Sequence, residues 1–474
     1  MVSLDQTEQN DLIAAVSTAS GPGAVGLVRI SGNGADRLLT RIFVSNALPY
    51  RRPRQMLFGR LVHPETRETV DQVLAVYFPG PASFTGEDSV EIFGHGGSTA
   101  PRLVLEAVLD AGARLALPGE FTQRAFLNGK LSLDQAEAVA DLVAAQSEAE
   151  AALAARHLEG ALAGIVKPLG YRLIGLQAEL AAVVDFEEEW DEGKRAFLLA
   201  ELNEITSAVG TLAGIRRNSR IFRDGLRLVL AGPPNAGKSS LFNALLGRDR
   251  ALVGPAPGTT RDYLEASASW SGLRVELVDT AGLAEGSGDE LERMGQSLTA
   301  RELAGADMVL WLRPLGEPDA PEAPGPPAGP PAGPGGPAPV LTIRSKADLA
   351  GPGGGAPEKQ DARPGGQAGE RQDAPIVSAK TGLGLDELKE TILALAGATP
   401  GRHPEVVPNL RQQKALEECL EKLAAARTCL EDGLPPDILA LEINEAARPL
   451  DCVIGRVLTE DVLAEVFGRF CVGK

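Results

Sequence analysis

The sequence predicts a multidomain protein of the α/β plus α class, in which a domain with a mostly parallel sheet is inserted into an α-helical domain. Three observations predict it. Short β-rich runs with turn signals occupy residues 1–127, helical periodicity occupies 128–222 and returns at 397–474, and a glycine-rich phosphate-binding loop lies between the two helical parts. A chain of 474 residues has the length of about three ordinary domains.

The N-terminal residues 1–127 mix strand-like and helix-like patterns and predict a compact α/β domain. The strand-like runs include 24–30, 73–78 and 90–93, and 100–109 is helix-like. Residues 21–26 match the spacing G-x-G-x-x-G, but a strand follows them where a dinucleotide-binding fold needs a helix. We therefore reject a dinucleotide-binding domain here.

The next part of the chain is helical. Apolar residues recur at three-to-four spacing from Leu133 to Val143, and helical periodicity returns over 410–430 and 437–450. The simplest architecture has the phosphate-loop domain, 223–396, inserted between two parts of one helical domain, 128–222 and 397–474.

The most specific motif is the loop at 232–240, which has the spacing G-x-x-x-x-G-K-S. A buried strand is predicted at 226–231 and a helix after it, the context that a phosphate-binding loop requires. In such a loop, backbone N–H groups surround the phosphates, Lys238 neutralises them, and the Ser239 hydroxyl reaches Mg²⁺.

Four further segments indicate a Ras-like GTPase domain that selects GTP rather than ATP. Residues 279–282 follow a strand, as a γ-phosphate-sensing segment should, and Thr260 is the expected switch threonine. After the strand 339–344, the segment 345–348 carries Asp348, whose carboxylate can accept two donors that guanine offers and adenine lacks, and residues 378–380 complete the base pocket.

The predicted GTP-binding residues are Asn235, Ala236, Gly237, Lys238, Ser239, Ser240, Gly254, Thr259, Thr260, Asp279, Thr280, Ala281, Gly282, Ser345, Lys346, Asp348, Ser378, Ala379 and Lys380. Ser345 stands where the usual motif has Asn, so we expect a weaker hydrogen bond on the base side and a selectivity that depends on Asp348.

The residues expected to drive hydrolysis are unusual. Leu283, which follows the 279–282 segment, cannot orient a water molecule as Gln would, and no arginine finger is evident. Either hydrolysis is negligible and the domain is a slow timer, or another residue acts, and 289–295 supplies carboxylates. Asn235 and the backbone carbonyls of 254–257 offer hard oxygen ligands for a monovalent cation that would replace the missing positive charge.

Composition favours a cytoplasmic protein. No apolar run of about 18 residues or more predicts a membrane span, and the first residues do not resemble a targeting segment. The four cysteines have no paired-ligand spacing, so we expect reduced thiols and neither a zinc site nor a disulfide framework. The net charge of −18 and the absence of a basic run indicate that any grip on RNA comes largely from a partner protein.

Two Pro/Gly-rich segments, 314–339 and 350–373, fall inside the phosphate-loop domain. Proline lacks a backbone donor and glycine loses the most entropy on ordering, so neither segment favours a helix or a strand. We predict mobile surface insertions there.

The motifs together resemble the MnmE (TrmE) family of bacterial tRNA-modification GTPases over nearly the whole chain. The segments that carry the resemblance are 25–32, 83–88, 118–121, 124–128, the phosphate loop with Asn235, 258–262, 279–283, 289–295 and the last residues, 470–474. The resemblance implies an N-terminal α/β domain of the folate-binding type, a helical domain and an inserted GTPase domain.

The resemblance also implies roles for single residues in hydrolysis. Glu292 would be the catalytic glutamate, acting on the attacking water indirectly. K⁺ would be held by Asn235, Thr259 and the carbonyls of Gly254 and Ala256, and Mg²⁺ by Ser239 and Thr260. From the residues alone, Glu292 is a solvated helix carboxylate.

The resemblance also assigns four charged residues to a second site. On their own Arg29, Glu91, Lys130 and Lys474 read as surface charges, but the resemblance places them around a formyl- or methylene-tetrahydrofolate that donates one carbon. For Lys474 this requires the C-terminal tail to fold back onto an N-terminal domain, whether of its own or of a second subunit. The role of Cys471, a buried or a catalytic thiol, stays open.

As implied by the resemblance, the protein is a homodimeric K⁺- and Mg²⁺-dependent GTPase. With the FAD-carrying partner MnmG (GidA), it adds an aminomethyl or carboxymethylaminomethyl group to C5 of wobble uridine in certain tRNAs. The rivals are a GTP-switched ribosome-assembly factor without modification chemistry and a folate-binding regulator that uses GTP as a sensor.

Overall fold

The computed structural model describes residues 11–19, 21–185, 190–215, 221–247, 264–279, 303, 305–315, 338–349, 374–397, 404–456, 460–468, 470 and 473. The chain forms two compact units. The first unit comprises Met1–Val143, His157–Gly210 and Asn409–Lys474, and the second comprises Ala144–Arg156 and Thr211–Pro408. An α/β domain, helices and a separate, mostly parallel sheet are all present, so the predicted fold class is confirmed. The predicted domain boundaries stay predictions.

The N-terminal part of the first unit is built on a seven-stranded sheet with strand order β3-β4-β5-β6-β2-β1-β7. The strands are β1 (Ile13–Val16), β2 (Val25–Ser31), β3 (Phe43–Val44), β4 (Leu57–Val62), β5 (Thr69–Phe78), β6 (Ser89–His95) and β7 (Arg114–Leu115). Neighbours are antiparallel except β1 and β7. The two shortest strands form the two edges, which leaves little unpaired backbone for another chain to extend.

Alternation along the strands gives this sheet two different faces. Helices α1 (Ala35–Ile42) and α2 (Ala100–Asp110) pack on the face that carries Ile30, Val90 and Ile92, and together they form one apolar core. Arg29 and Glu91 alternate with these core residues and lie opposite each other on the other face. On that face, Phe121 of helix α3 (Glu120–Leu127) packs against Ile13 and Ala15 of β1.

The helical elements that follow are α4 (Leu133–Ala144), α5 (Glu148–Leu158), α6 (Ala161–Asp185) and α7 (Glu192–Gly214). Near the end of the chain lie the helices Leu410–Glu431, Pro436–Ile454 and Glu460–Gly468, which belong to the first unit. The helix Pro436–Ile454 packs against both α6 and Leu410–Glu431. The bidentate pair between Arg411 and Glu137 joins the two ends of the chain's helical part, with Nε to Oε1 at 2.8 Å and Nη2 to Oε2 at 2.9 Å.

The end of the chain lies against its own N-terminal domain. Phe467 and Phe470 pack in one apolar cluster with Leu133, and the Phe467 ring lies 6.3 Å from that of Phe126. The hydroxyl of Ser17 donates to the carbonyl oxygen of Gly473 at 3.0 Å. The expected fold-back of the tail is thus present within one chain.

The second unit contains a five-stranded sheet with order β12-β11-β8-β10-β9. The strands are β8 (Leu226–Ala231), β9 (Leu264–Trp270), β10 (Leu273–Asp279), β11 (Met308–Pro314) and β12 (Val340–Ser345). Four are parallel and only β9 is antiparallel, at one edge. Strand β8 carries Leu226, Leu228, Val229 and Leu230, all buried, as expected for a central parallel strand covered on both faces.

In the described part of the second unit, the helices that accompany this sheet include α8 (Ile221–Asp224), α9 (Lys238–Leu246) and α10 (Leu385–Leu395). Phe242 of α9 and Leu388 of α10 belong to the same buried core as Leu228 and Leu277 of the sheet. Among the helices that the structure describes, none has the length and apolarity to cross a bilayer.

Candidate functional site

The phosphate-binding loop joins β8 to α9 at the carboxyl end of a parallel strand. Its backbone is left-handed at Asn235 (φ 61°) and Gly237 (φ 91°), and φ is 145° at Gly232. A Cβ atom at Gly232 would lie 2.7 Å from the carbonyl oxygen of Leu312, so a larger residue would displace the neighbouring strand. The loop therefore stays tight and presents the N–H groups of the first turn of α9 towards one point.

Lys238 and Asp279 bring opposite charges to this loop. Lys238 is buried, and its Nζ donates to the carbonyl oxygens of Gly232 and Pro233, each at 3.0 Å. Burial lowers the pKa of Lys238, and the attraction of Asp279 opposes that shift. Asp279 is buried at the end of β10, next to β8. One lysine and one carboxylate at a helix N-terminus fit a nucleotide phosphate with a divalent cation.

The base-side segment also contacts the loop. Ser345, at the end of β12, is buried, and its hydroxyl donates to the carbonyl oxygen of Ala236 at 2.7 Å. The residue that stands in place of Asn thus fastens the end of β12 to the phosphate loop.

Asp348 is held ready to accept hydrogen bonds. The hydroxyl of the buried Ser378 donates to its Oδ1 at 2.8 Å, and this bond keeps the pKa of Asp348 below its usual value. Because the carboxylate is exposed, ionised and oriented, it can accept the two donors of a guanine base. Of the predicted base-side residues, Ser345, Lys346, Asp348 and Ser378 lie on adjoining segments, since Ile376 pairs with Arg344.

Several predicted site residues lie outside the described residues. They are Gly254, Ala256, Thr259, Thr260, Thr280, Ala281, Gly282, Glu292, Cys471 and Lys474. The two Pro/Gly-rich insertions, 314–339 and 350–373, lie almost wholly outside them too. Their predicted roles stay predictions.

The first unit has a cavity of about 290 Å³ on the face of the sheet opposite α1 and α2. It is lined by Arg29, Arg54, Phe78, Ala82, Ser83, Phe84, Thr85, Ser89 and Glu91. Its volume is at the lower end of the range for small-molecule sites, enough for a bicyclic ring system.

Arg29 and Glu91 form an ion pair in this cavity. Nε and Nη2 of Arg29 both donate to Oε1 of Glu91, at 3.0 and 2.8 Å, so Oε2 takes no part in the pair. The Arg29 guanidinium also lies 5.5 Å from the centroid of the Phe84 ring and 5.8 Å from that of Phe121. An oriented carboxylate beside aromatic rings suits a flat heterocycle with amino groups.

The other two residues of the predicted folate set differ. Lys130 does not line the cavity, but its Nζ donates at 3.1 Å to the carbonyl oxygen of Pro81, which precedes the lining residue Ala82. Lys474 is not described, and its neighbour Gly473 contacts Ser17. The structure thus brings two of the four predicted residues together.

Sequence reasoning missed Arg54, Phe78 and Phe84 as lining residues. Phe78 ends β5 and Phe84 lies in the connection before β6, so only their position in the fold shows them to be neighbours. The one available signal was the occurrence of three arginines within residues 51–54.

Two family models match this chain. The family model described as "MnmE helical domain" matches residues 133–471, and the model "GTP-binding protein TrmE N-terminus" matches residues 12–130. The chain belongs to the MnmE family. The resemblance predicted from the motifs is confirmed.

Relatives in the MnmE family match the whole length of this chain. The tRNA modification GTPase MnmE of Methylobacterium sp. (strain 4-46) is 40% identical over 471 residues, covering 98% of this chain and 100% of the relative. A protein of the same name from Thermus thermophilus is 40% identical over 466 residues, covering 98% and 99%. That of Thermoanaerobacter sp. (strain X514) is 36% identical over 471 residues, with the same coverage as the Thermus protein.

Proposed function

We propose that this chain, a GTP hydrolase of tRNA modification by family, depends on K⁺ and Mg²⁺ and works with an FAD-carrying partner of the MnmG (GidA) type. The pair adds an aminomethyl or carboxymethylaminomethyl group to C5 of wobble uridine, with a tetrahydrofolate derivative as the one-carbon donor. One observation carries the proposal: a single chain combines a complete phosphate loop with a separate cavity whose polar floor suits a pterin. The protein acts in the cytoplasm as a homodimer.

GTP binding follows from the residues of the second unit. Asp348 accepts the guanine donors, and Lys238 leaves the carbonyls of Gly232 and Pro233 to neutralise the phosphates. Burial lowers the pKa of Lys238, and a bound phosphate would add negative charge beside it and favour its charged form, as Asp279 does. Ser239 and Thr260 would hold Mg²⁺, which would neutralise negative charge on the phosphates.

Hydrolysis needs positive charge and a positioned water. Asn235 takes a left-handed backbone conformation in the phosphate loop, which Asn tolerates, and we assign its side-chain oxygen to K⁺. Thr259 and the carbonyls of Gly254 and Ala256 complete the K⁺ site, and Glu292 acts on the attacking water indirectly. K⁺ supplies the charge that an arginine finger supplies in other GTPases.

The folate derivative occupies the cavity of the first unit. Oε2 of Glu91, outside its pair with Arg29, accepts from the amino-pyrimidine edge of the pterin. Arg29, Lys130 and Lys474 complete the site. The assignment of Cys471 as a catalytic thiol belongs to the same proposal.

The decisive test is mass spectrometry of tRNA nucleosides from a deletion strain that carries this chain or a variant of it. We expect the wild type to restore the wobble modification. Glu292→Ala should fail to restore it, with GTP turnover of the purified variant reduced at least ~100-fold and GTP affinity kept, since catalytic carboxylates of this kind contribute 10²–10⁴-fold. The control Glu390→Ala removes an exposed carboxylate of α10 and should behave as wild type.

Two outcomes would contradict the proposal. Intact wobble modification in the deletion strain would favour a ribosome-assembly factor or a regulator. Equal rates of phosphate release from the wild type in KCl and in NaCl at matched ionic strength would remove K⁺ from the mechanism.

A further inference from the structure

The cavity of the first unit has a polar floor and an exposed rim. Thr85 and Ser89 on the floor are buried, and the side chains of Arg29 and Glu91 are each 19% exposed. Arg54, Ala82 and Phe84 are exposed and form the rim. A ligand too large for the cavity volume of about 290 Å³ must therefore extend out of the cavity past these three residues.

Arg54 sits in an unusual backbone conformation at this rim. Its φ is 65°, a left-handed value uncommon for arginine, and its N–H donates to the carbonyl oxygen of Tyr77 at 2.8 Å. The guanidinium lies 5.8 Å from the centroid of the Phe78 ring, and Nη2 donates to the carbonyl oxygen of Ala82. These contacts hold the exposed side chain at the rim of the cavity.

The charge of Arg54 is uncompensated, in contrast to that of the other arginine in the cavity. Arg29 is neutralised by Glu91 at 2.8 Å. Within the described part of the chain, Arg54 has no carboxylate within 4 Å, and its guanidinium contacts only a ring face and a backbone carbonyl. The guanidinium group of Arg54 therefore has N–H donors and a full charge with which to bind an anion.

We infer that Arg54 binds the anionic end of the cavity's ligand and selects folates by their glutamyl carboxylate. The inference rests on the proposed folate site. A pterin ring fills the floor beside Glu91, the aminobenzoyl-glutamate part passes the rim, and the planar guanidinium of Arg54 meets a carboxylate there. Arg29 is less suited to this role, because its charge is already paired with Glu91.

The test compares two ligands that differ in the glutamate. Binding of 5-formyltetrahydrofolate and of tetrahydrobiopterin, a pterin without glutamate, is measured by calorimetry on the full-length protein. Arg54→Gln should weaken the folate about tenfold, as the loss of one partly exposed charge-assisted hydrogen bond predicts, and should leave tetrahydrobiopterin within about twofold. Arg54→Lys should recover part of the folate affinity.

Arg51→Gln is the matched control. Arg51 is an exposed arginine of the same turn, contacts the Tyr50 ring and does not line the cavity, so this variant should bind both ligands as the wild type does. Equal folate affinity for wild type and Arg54→Gln would overturn the inference and leave the folate site standing. Equal weakening of both ligands would show a structural role and overturn it too.

Two further results would also refute the assignment. If the wild type binds neither ligand, the folate proposal fails and the inference fails with it. If Arg54→Gln weakens tRNA binding but not folate binding, Arg54 is an RNA-phosphate contact instead.

Discussion

At the residue scale, Asp134 is a buried carboxylate with little compensation. It lies in the first turn of α4 and is 1% exposed, and neither carboxylate oxygen has a well-aligned donor among the described residues. The nearby Ser132 commits its N–H and its hydroxyl to Oε1 of Gln135, each at 3.0 Å. Burial therefore raises the pKa of Asp134, and the negative charge of Glu137 adds to the effect.

Because its pKa is raised in the folded state, the effect of this carboxyl on the free energy of unfolding depends on pH. Its neutral form is favoured in the fold, so its contribution to stability is fully present below the unfolded-state pKa and is lost as pH rises through the folded-state pKa. We expect Asp134→Asn to raise the free energy of unfolding at pH 8 by roughly 1 kcal/mol and to make it less dependent on pH. Urea unfolding of the first unit between pH 5 and 8 measures both effects.

The control for this variant is Asp437→Asn, which changes an exposed carboxylate in the first turn of another helix of the same unit. It should not stabilise the protein, because the charge of Asp437 is hydrated and favourable at a helix N-terminus. If Asp134→Asn instead lowers the free energy of unfolding at pH 8, the carboxylate is stabilised by its surroundings and the argument is wrong.

The position of Ser345 was predictable from the sequence, but its hydrogen-bond partner was not. Its position after the strand 339–344 was enough to place it in the base-side segment, and the structure puts it there, at the end of β12. Its acceptor, the carbonyl of Ala236, lies 109 residues earlier in the chain. A contact over that distance depends on the order of strands in the sheet, which no local pattern records.

At the element scale, the long elements were predictable and the short ones were not. Strand β8 and the helix Leu410–Glu431 match the predicted 226–231 and 410–430, because a buried apolar run and a helical period are local signals. The two-residue edge strands β3 and β7 have too few residues to show any period. The cavity depends on strand pairing and on a turn conformation at Arg54, so the sequence predicted two of its residues and missed the rest.

Most of α5, residues 148–156, belongs to the second unit. Ala149 lies in the core of that unit, and its N–H donates at 2.9 Å to the carbonyl of Gly272 in the turn between β9 and β10. Arg274 of β10 donates to Oε1 of Gln146 at 2.8 Å, and its Nε lies 3.5 Å from Oε1 of Glu150. The start of strand β10, which ends in Asp279, is thus in contact with α5 and the residue Gln146 before it.

Arg274→Ala should loosen this docking. The substitution leaves the carboxylate of Glu150, a residue only 9% exposed, without its cation, and losses of this kind amount to about 2 kcal/mol. We expect amide hydrogens of residues 144–156 to exchange at least ~10-fold faster in the variant, measured by mass spectrometry. Arg344→Ala, at an exposed arginine of β12 in the same sheet, is the control and should leave this segment unchanged. Unchanged exchange in both variants would mean that backbone and apolar contacts alone dock the segment.

At the scale of the whole molecule, the balance of charge bears on how tRNA is bound. The chain has 64 acidic and 46 basic residues, giving a net charge of −18. Basic side chains in the described part are often already paired with carboxylates, as for Arg172 with Glu201 and Arg227 with Glu265. A protein gains affinity for nucleic acid when its basic side chains displace counterions from the phosphates. Arginines that are already paired with carboxylates on an acidic protein displace few counterions.

The isolated chain should therefore bind tRNA weakly, with a dissociation constant of about 1 μM or above at physiological salt and a shallow dependence on salt. Adding the proposed flavoprotein partner at equal concentration should tighten binding at least ~10-fold and steepen the salt dependence, if that partner supplies the basic surface as we propose. Filter binding of tRNA at several salt concentrations, with each protein alone as control, measures both quantities. Nanomolar binding by the isolated chain, with a steep salt slope, would show that local basic surface outweighs the net charge and would remove the need for the partner in tRNA recognition.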